Sequence, residues 1–179
     1  MIEKIIKKFE RIRDLPYKVG PLHEGDDLIR YGWGGCGPKN RYLAKYFYGL
    51  GYEVKVCWAP YRWKELDVLP SEIKKNPSVN RIGNHVYLKV KINNKWALID
   101  ATWDKGLYPL FSANINWDGK SNQIPATKIQ KENCLDYPEP YLSWRKENIK
   151  NIQPTKQEKK FAIEMNNFFE NIRKLNSKK

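Results

Sequence analysis

The chain has 179 residues and a net charge of +13, most simply one domain over residues 1–179, able to bury about two-thirds of its unfolded surface. No apolar run approaches the ~20 residues that cross a bilayer, and "MIEKIIKKFE" breaks its apolar residues with charges. A cytoplasmic protein with no membrane partner is therefore expected. The three cysteines, Cys36, Cys57 and Cys134, include no Cys-x-x-Cys pair, and only His23 and His85 could assist them. That pattern argues against a structural zinc site or other bound metal and against a secreted disulfide framework, and no cofactor is expected. Basic residues occur in nearly every segment without a nucleic-acid motif, so the charge reads as solvated lysine, and nucleic acid is not expected as a partner.

Ile2, Ile5, Ile6, Phe9 and Ile12 recur at helical spacing and predict a helix over 2–14. "LPYKVGPLHEGDD" is turn-rich and leads to "YGWGGCGPKN", where one cysteine stands among glycines. From Cys36, the stripe Leu43, Ala44, Phe47 and Leu50 predicts a second helix with Lys39, Asn40 and Lys45 as its polar residues, stopping at "GLG". "YEVKVCW" alternates as a strand with Val54, Val56 and Trp58 on one side. Residues 59–84 hold prolines and a short helix near Pro70 to Lys75. "HVYLKVKI" and "KWALIDAT" form a hairpin closed by the two-residue turn Asn93-Asn94. Residues 105–154 show little periodicity and read as an irregular wrapping segment, with Trp103, Trp117 and Trp144 as hydrophobic anchors or as the lining of a substrate site. A last helix over 155–175 carries Phe161, Met165, Phe168, Phe169 and Ile172. The order predicts an α+β fold with N-terminal helices packed on an antiparallel sheet.

Cys36 lies seven residues before Leu43, two turns away, so it shares the apolar face of its helix. Pro38 fits only a first turn, which puts Cys36 at the helix start, where unpaired N–H groups favour a thiolate and can hold an oxyanion. A nucleophilic cysteine needs a base and an orienting acid. His85 opens a strand whose alternation puts His85, Tyr87, Lys89 and Lys91 on one face. With a two-residue turn, Ile92 pairs with Lys95 and Tyr87 falls opposite Asp100. Asp100 is then the diagonal neighbour of His85, within side-chain reach. A longer loop would break that register. His23 is a rival base, with Glu24, Asp26 and Asp27 near it in sequence, and Asp104 is a rival third member.

These residues resemble the transglutaminase-like superfamily, which shares papain-like cysteine catalysis. The likeness rests on "GGCGPKNRYLAKYFYGLGYEVKV" and "NHVYLKVKINNKWALIDATWD", about residues 30–104. It implies a papain-like core with Cys36 as nucleophile, His85 as base and Asp100 as its orienter. Trp33, Gly35, Tyr87 and Trp103 are the candidate substrate-binding residues. Gly37 departs from many relatives, which carry a larger side chain there. The resemblance implies acyl transfer through a thioester: hydrolysis of a peptide or isopeptide amide in a protein-like substrate, or transfer to an amine acceptor. A catalytically silent binding module on the same fold and a redox-sensing Cys36 bridging to Cys57 or Cys134 are the alternatives. The oligomeric state is not readable from sequence.

Overall fold

The computed structural model describes residues 2–20, 25–148 and 153–178. Helix α1 (Ile2–Arg13) buries Ile5, Phe9 and Ile12, the apolar face that the spacing predicts. A single turn, α2 (Leu28–Tyr31), is closed by Gly32 at φ +67°, a conformation that glycine takes without steric cost. Helix α3 (Cys36–Gly49) starts at Cys36 itself, with Gly35 extended at its N-cap. Pro38 lies in that first turn, where a missing N–H sacrifices no helical bond.

Four antiparallel strands follow: β1 (Val54–Arg62), β2 (Ile82–Ile92), β3 (Lys95–Ile99) and β4 (Asn133–Tyr137), in the order β3-β2-β1-β4. Asn93 and Asn94 both have positive φ, 50° and 61°, which turns the chain in two residues and pairs Ile92 with Lys95. The short helix α4 (Ser71–Lys74) lies between β1 and β2, α5 (Tyr141–Asn148) follows β4, and α6 (Lys156–Asn176) ends the described chain. Thr155 and Glu158 form a capping box that fixes the start of α6. No helix among the described residues is long and apolar enough to cross a membrane.

The fold is thus α+β with helices before an antiparallel sheet, as expected, but four details differ from the sequence reading, the first being that β2 opens at Ile82, three residues ahead of His85. β1 runs on past Trp58 through Pro60 to Arg62. Pro60 is tolerated because β4 pairs only as far as Trp58, leaving that stretch of β1 an open edge where no N–H is required. The supposedly irregular segment 105–154 contains β4 and α5, too short for periodicity to reveal. Cys57 and Cys134, opposite each other on β1 and β4, form a disulfide with Cα atoms 4.1 Å apart. The sequence reading does not expect this bridge, because strand pairing, not sequence proximity, brings the two cysteines together.

Two packed clusters flank the site. One joins α1 and α3 to a sheet face through residues such as Phe9, Leu43, Phe47, Val56, Leu88 and Ile99. The other gathers Trp63, Trp103 and Phe111 against Phe161, Met165 and Phe169 of α6. The tryptophans anchor these clusters. Trp117 packs on Phe9 at 5.0 Å and Trp144 stacks on Trp58 at 4.2 Å.

Candidate active site

Cys36 is the one cysteine outside the disulfide and is half-buried. Its Sγ lies 3.9 Å from the carbonyl oxygen of Asn84, the residue before His85. The start of α3 is therefore brought against the N-terminal half of β2. Burial raises the Cys36 pKa, but hydrogen bonding to His85 and the charge of that ring outweigh it, so the thiol is held below its ordinary value.

His85 is buried, and its Nε2 lies 2.8 Å from Asp100 Oδ2. With Nε2 committed to Asp100, Nδ1 is the nitrogen left for the thiol. Burial alone would lower the imidazole pKa; the Asp100 charge and hydrogen bond, together with Cys36, raise it well above the usual range. Burial likewise favours a neutral Asp100, yet His85, the Thr102 hydroxyl and the Ala126 N–H hold the carboxyl below its usual range. Thiol down and imidazole up is the electrostatic arrangement of a thiolate–imidazolium pair.

Asp100 is fixed from every side. The Thr102 N–H donates to its Oδ1 at 3.0 Å, and the Ala126 N–H to its Oδ2 at 2.8 Å. Its own N–H donates to Gln123 Oε1 at 2.6 Å, and the Asn114 amide donates to its carbonyl at 2.9 Å. The long segment after Asp104 therefore braces the acid from behind, a role absent from the sequence reading.

The rivals are occupied elsewhere or lie outside view. His23 and Glu24 lie outside the described residues. Asp26 pairs with Lys45 and Asp27 with Arg30. Asp104 is buried, accepts the Tyr17 N–H at 2.8 Å and pairs with Arg173 at 2.7 Å, so it ties the N-terminal loop to α6. Cys57, Glu132 and Cys134 bring possible ligand atoms within 4.8 Å of one another, but the disulfide leaves no thiolate there for a metal.

A cavity of about 320 Å³ opens over Cys36, and Trp33 and Gly35 line it as expected. Tyr87 and Trp103 do not. Tyr87 is fully buried beneath the sheet, stacks on the His85 ring at 5.7 Å and donates its hydroxyl to Glu132. Trp103 lies in the second cluster and donates its indole N–H to the Ala126 carbonyl at 3.3 Å. Tyr87 shares a face of β2 with His85 but sits two residues further along the strand, behind the His85 ring, and Trp103 packs into the α6 cluster. Both hold parts of the triad in place instead.

Two cleft residues escaped the sequence reading. Tyr17 and Tyr61 line the cavity beside Cys36. Burial, first of all, raises both phenols, so both stay protonated. A protonated phenol is an O–H donor. The extension of β1 through Pro60 is what delivers Tyr61.

Gly37 also has a steric reason. A Cβ there would lie 2.6 Å from an Arg41 guanidinium nitrogen, so the glycine admits that side chain against the first turn of α3. Comparison with protein-family models, with curated proteins and with solved structures finds no match.

Proposed function

We propose that this protein is a cysteine-dependent acyl-transfer enzyme with a papain-like, transglutaminase-like core, hydrolysing a peptide or isopeptide amide through a thioester. The observation that carries the reading is the triad: a thiol with lowered pKa at a helix start, facing a buried imidazole held 2.8 Å from a buried carboxylate. The intact residue set is also what the motifs "GGCGPKN" and "NHVYLKV…ALIDATWD" lead one to expect.

The thiolate of Cys36 attacks the amide carbonyl carbon and a C–S bond forms. The oxyanion meets the Cys36 N–H at the start of α3 and the phenol O–H of Tyr61, which lines the same cavity. The His85 imidazolium gives its proton to the leaving nitrogen as the C–N bond breaks. Asp100 holds the ring orientation and stabilises the cation throughout. Water enters, the now neutral imidazole takes its proton, and hydroxide addition to the thioester releases the carboxylic acid and restores the ion pair.

Intact mass spectrometry after mixing with a small activated aryl ester tests this reading. The expected result is a single acyl adduct on Cys36 that decays in water, with none on Cys36→Ser. An adduct that survives water but transfers rapidly to an added amine would reassign the acceptor. No adduct on Cys36 with any activated donor would reject the reading.

A further inference from the structure

Asn40 stands one helical turn after Cys36, a polar residue on the same face as Leu43, Ala44 and Phe47, and is fully buried. Its Nδ2 donates to the Cys36 carbonyl at 3.1 Å and to the Val86 carbonyl at 2.8 Å, while its Oδ1 accepts the Ala101 N–H at 3.1 Å. Those three partners are Cys36 itself, the residue after His85 and the residue after Asp100. A single amide plane thus touches the chain at each member of the triad.

The hairpin register explains why the amide is there. A two-residue turn closing on Ile92 and Lys95 makes every second opposing pair a hydrogen-bonded one. Pairing runs through Val90–Ala97 to Leu88–Ile99 and stops. The next such pair would be Val86 and Ala101, whose groups would have bonded to each other. Asn40 occupies that position instead: it donates to Val86 and accepts from Ala101. The side chain is a wedge that completes the ladder while parting the strands beside His85 and Asp100. Its second donor fixes the helix end that carries the thiol.

We infer that Asn40 is a positioning residue which sets Cys36 in register with the His85–Asp100 pair. The inference rests on the triad reading above. It predicts that replacing the amide loosens the thiol–imidazole contact, not only the fold.

The test is the pH profile of Cys36 alkylation by iodoacetamide, with peptides resolved by mass spectrometry, in wild type, Asn40→Leu and Asn40→Asp. Asn176→Ala serves as a control: its amide donates to the Gly106 and Tyr108 carbonyls, away from the triad. The expected result is that Asn40→Leu shifts the reactive limb toward the ~8.5 of an ordinary thiol and lowers the rate at pH 6 at least about 10-fold. Asn176→Ala should lower the thermal midpoint without moving the profile. If Asn40→Leu does not fold, Asn40→Asp, which keeps the shape and an acceptor but loses both donors, is judged by the same criterion. A folded Asn40 variant with the wild-type profile overturns the inference and leaves the triad reading standing. A wild type whose Cys36 titrates as an ordinary thiol overturns both.

Discussion

His85 Nε2 and Asp100 Oδ2 meet at 2.8 Å across a hairpin in which the two residues are diagonal, not opposite, neighbours. Both side chains are almost wholly removed from water. Asp100→Asn keeps the shape of the acid but removes the charge that raises the imidazole. It should depress the acylation rate by about 10³-fold or more while leaving the fold intact. Stopped-flow acylation by an aryl ester, beside a circular-dichroism melt, checks this. Near wild-type acylation would show that the carboxylate does not serve the imidazole.

Lys39 and His85 make stability respond to pH in opposite directions. Lys39 is fully buried, with Nζ bonded to the Arg13 carbonyl at 2.8 Å and the Thr102 carbonyl at 3.0 Å. Burial lowers its pKa to about 7. From there up to the ~10.4 of an unfolded lysine, the unfolded chain binds more protons, so this group makes stability rise with pH. His85 is raised on folding, despite the lowering effect of burial. Its stabilisation is complete below the ~6.5 of an unfolded imidazole and is lost as pH climbs through the raised folded value. The two oppose each other in the wild type. Lys39→Met leaves the His85 effect alone, so its thermal midpoint should fall more steeply than the wild type's between pH 7 and pH 9. Parallel slopes would contradict this account.

The Cys57–Cys134 bridge closes a loop with a sequence separation of 77 and pins β4 to β1. Unfolded in guanidinium without reductant, the protein should titrate one thiol, and three once reduced. Replacing Cys134 with alanine should cost about 2–4 kcal/mol of unfolding free energy. Three thiols without reductant, in protein purified under oxidising conditions, would contradict the bridge.

Tyr61 lines the cavity above Cys36 beside Tyr17. If its hydroxyl meets the oxyanion, Tyr61→Phe should slow acylation by about 10²-fold. Alkylation of Cys36, which forms no oxyanion, should be nearly unaffected. Equal losses in both reactions would show that the phenol serves only to shape the cavity.

The grouping of Cys36, His85 and Asp100 and the elements bearing it were legible because local rules set them. Pro38 and the glycines mark the start of α3, and Asn93-Asn94 fixes a register that carries through to His85 and Asp100. What surrounds the triad obeys no local rule. Asn40 carries no mark of its role in the sequence, because that role depends on the ladder bond that the hairpin lacks beside it. Tyr61 stands beyond a proline that normally ends a strand, and only the absence of β4 at that point lets β1 continue. Gln123 and Ala126 support Asp100 from a segment with no periodic pattern, one of them through a backbone N–H that no sequence signal marks. Tyr87 and Trp103, aromatic and close in sequence to the triad, are buried outside the cleft, Tyr87 against Cys57 and Ala59 and Trp103 against the residues of α6.

The most direct test of the central claim is the iodoacetamide reactivity of Cys36 between pH 4 and pH 9, measured on wild type and His85→Ala. A thiolate–imidazolium pair predicts fast alkylation at pH 5–6, where an ordinary thiol of pKa about 8.5 is almost wholly protonated. It also predicts that His85→Ala abolishes that low-pH reactivity. A Cys36 that titrates as an ordinary thiol, or whose low-pH reactivity persists in His85→Ala, would contradict the ion pair on which the catalytic reading rests.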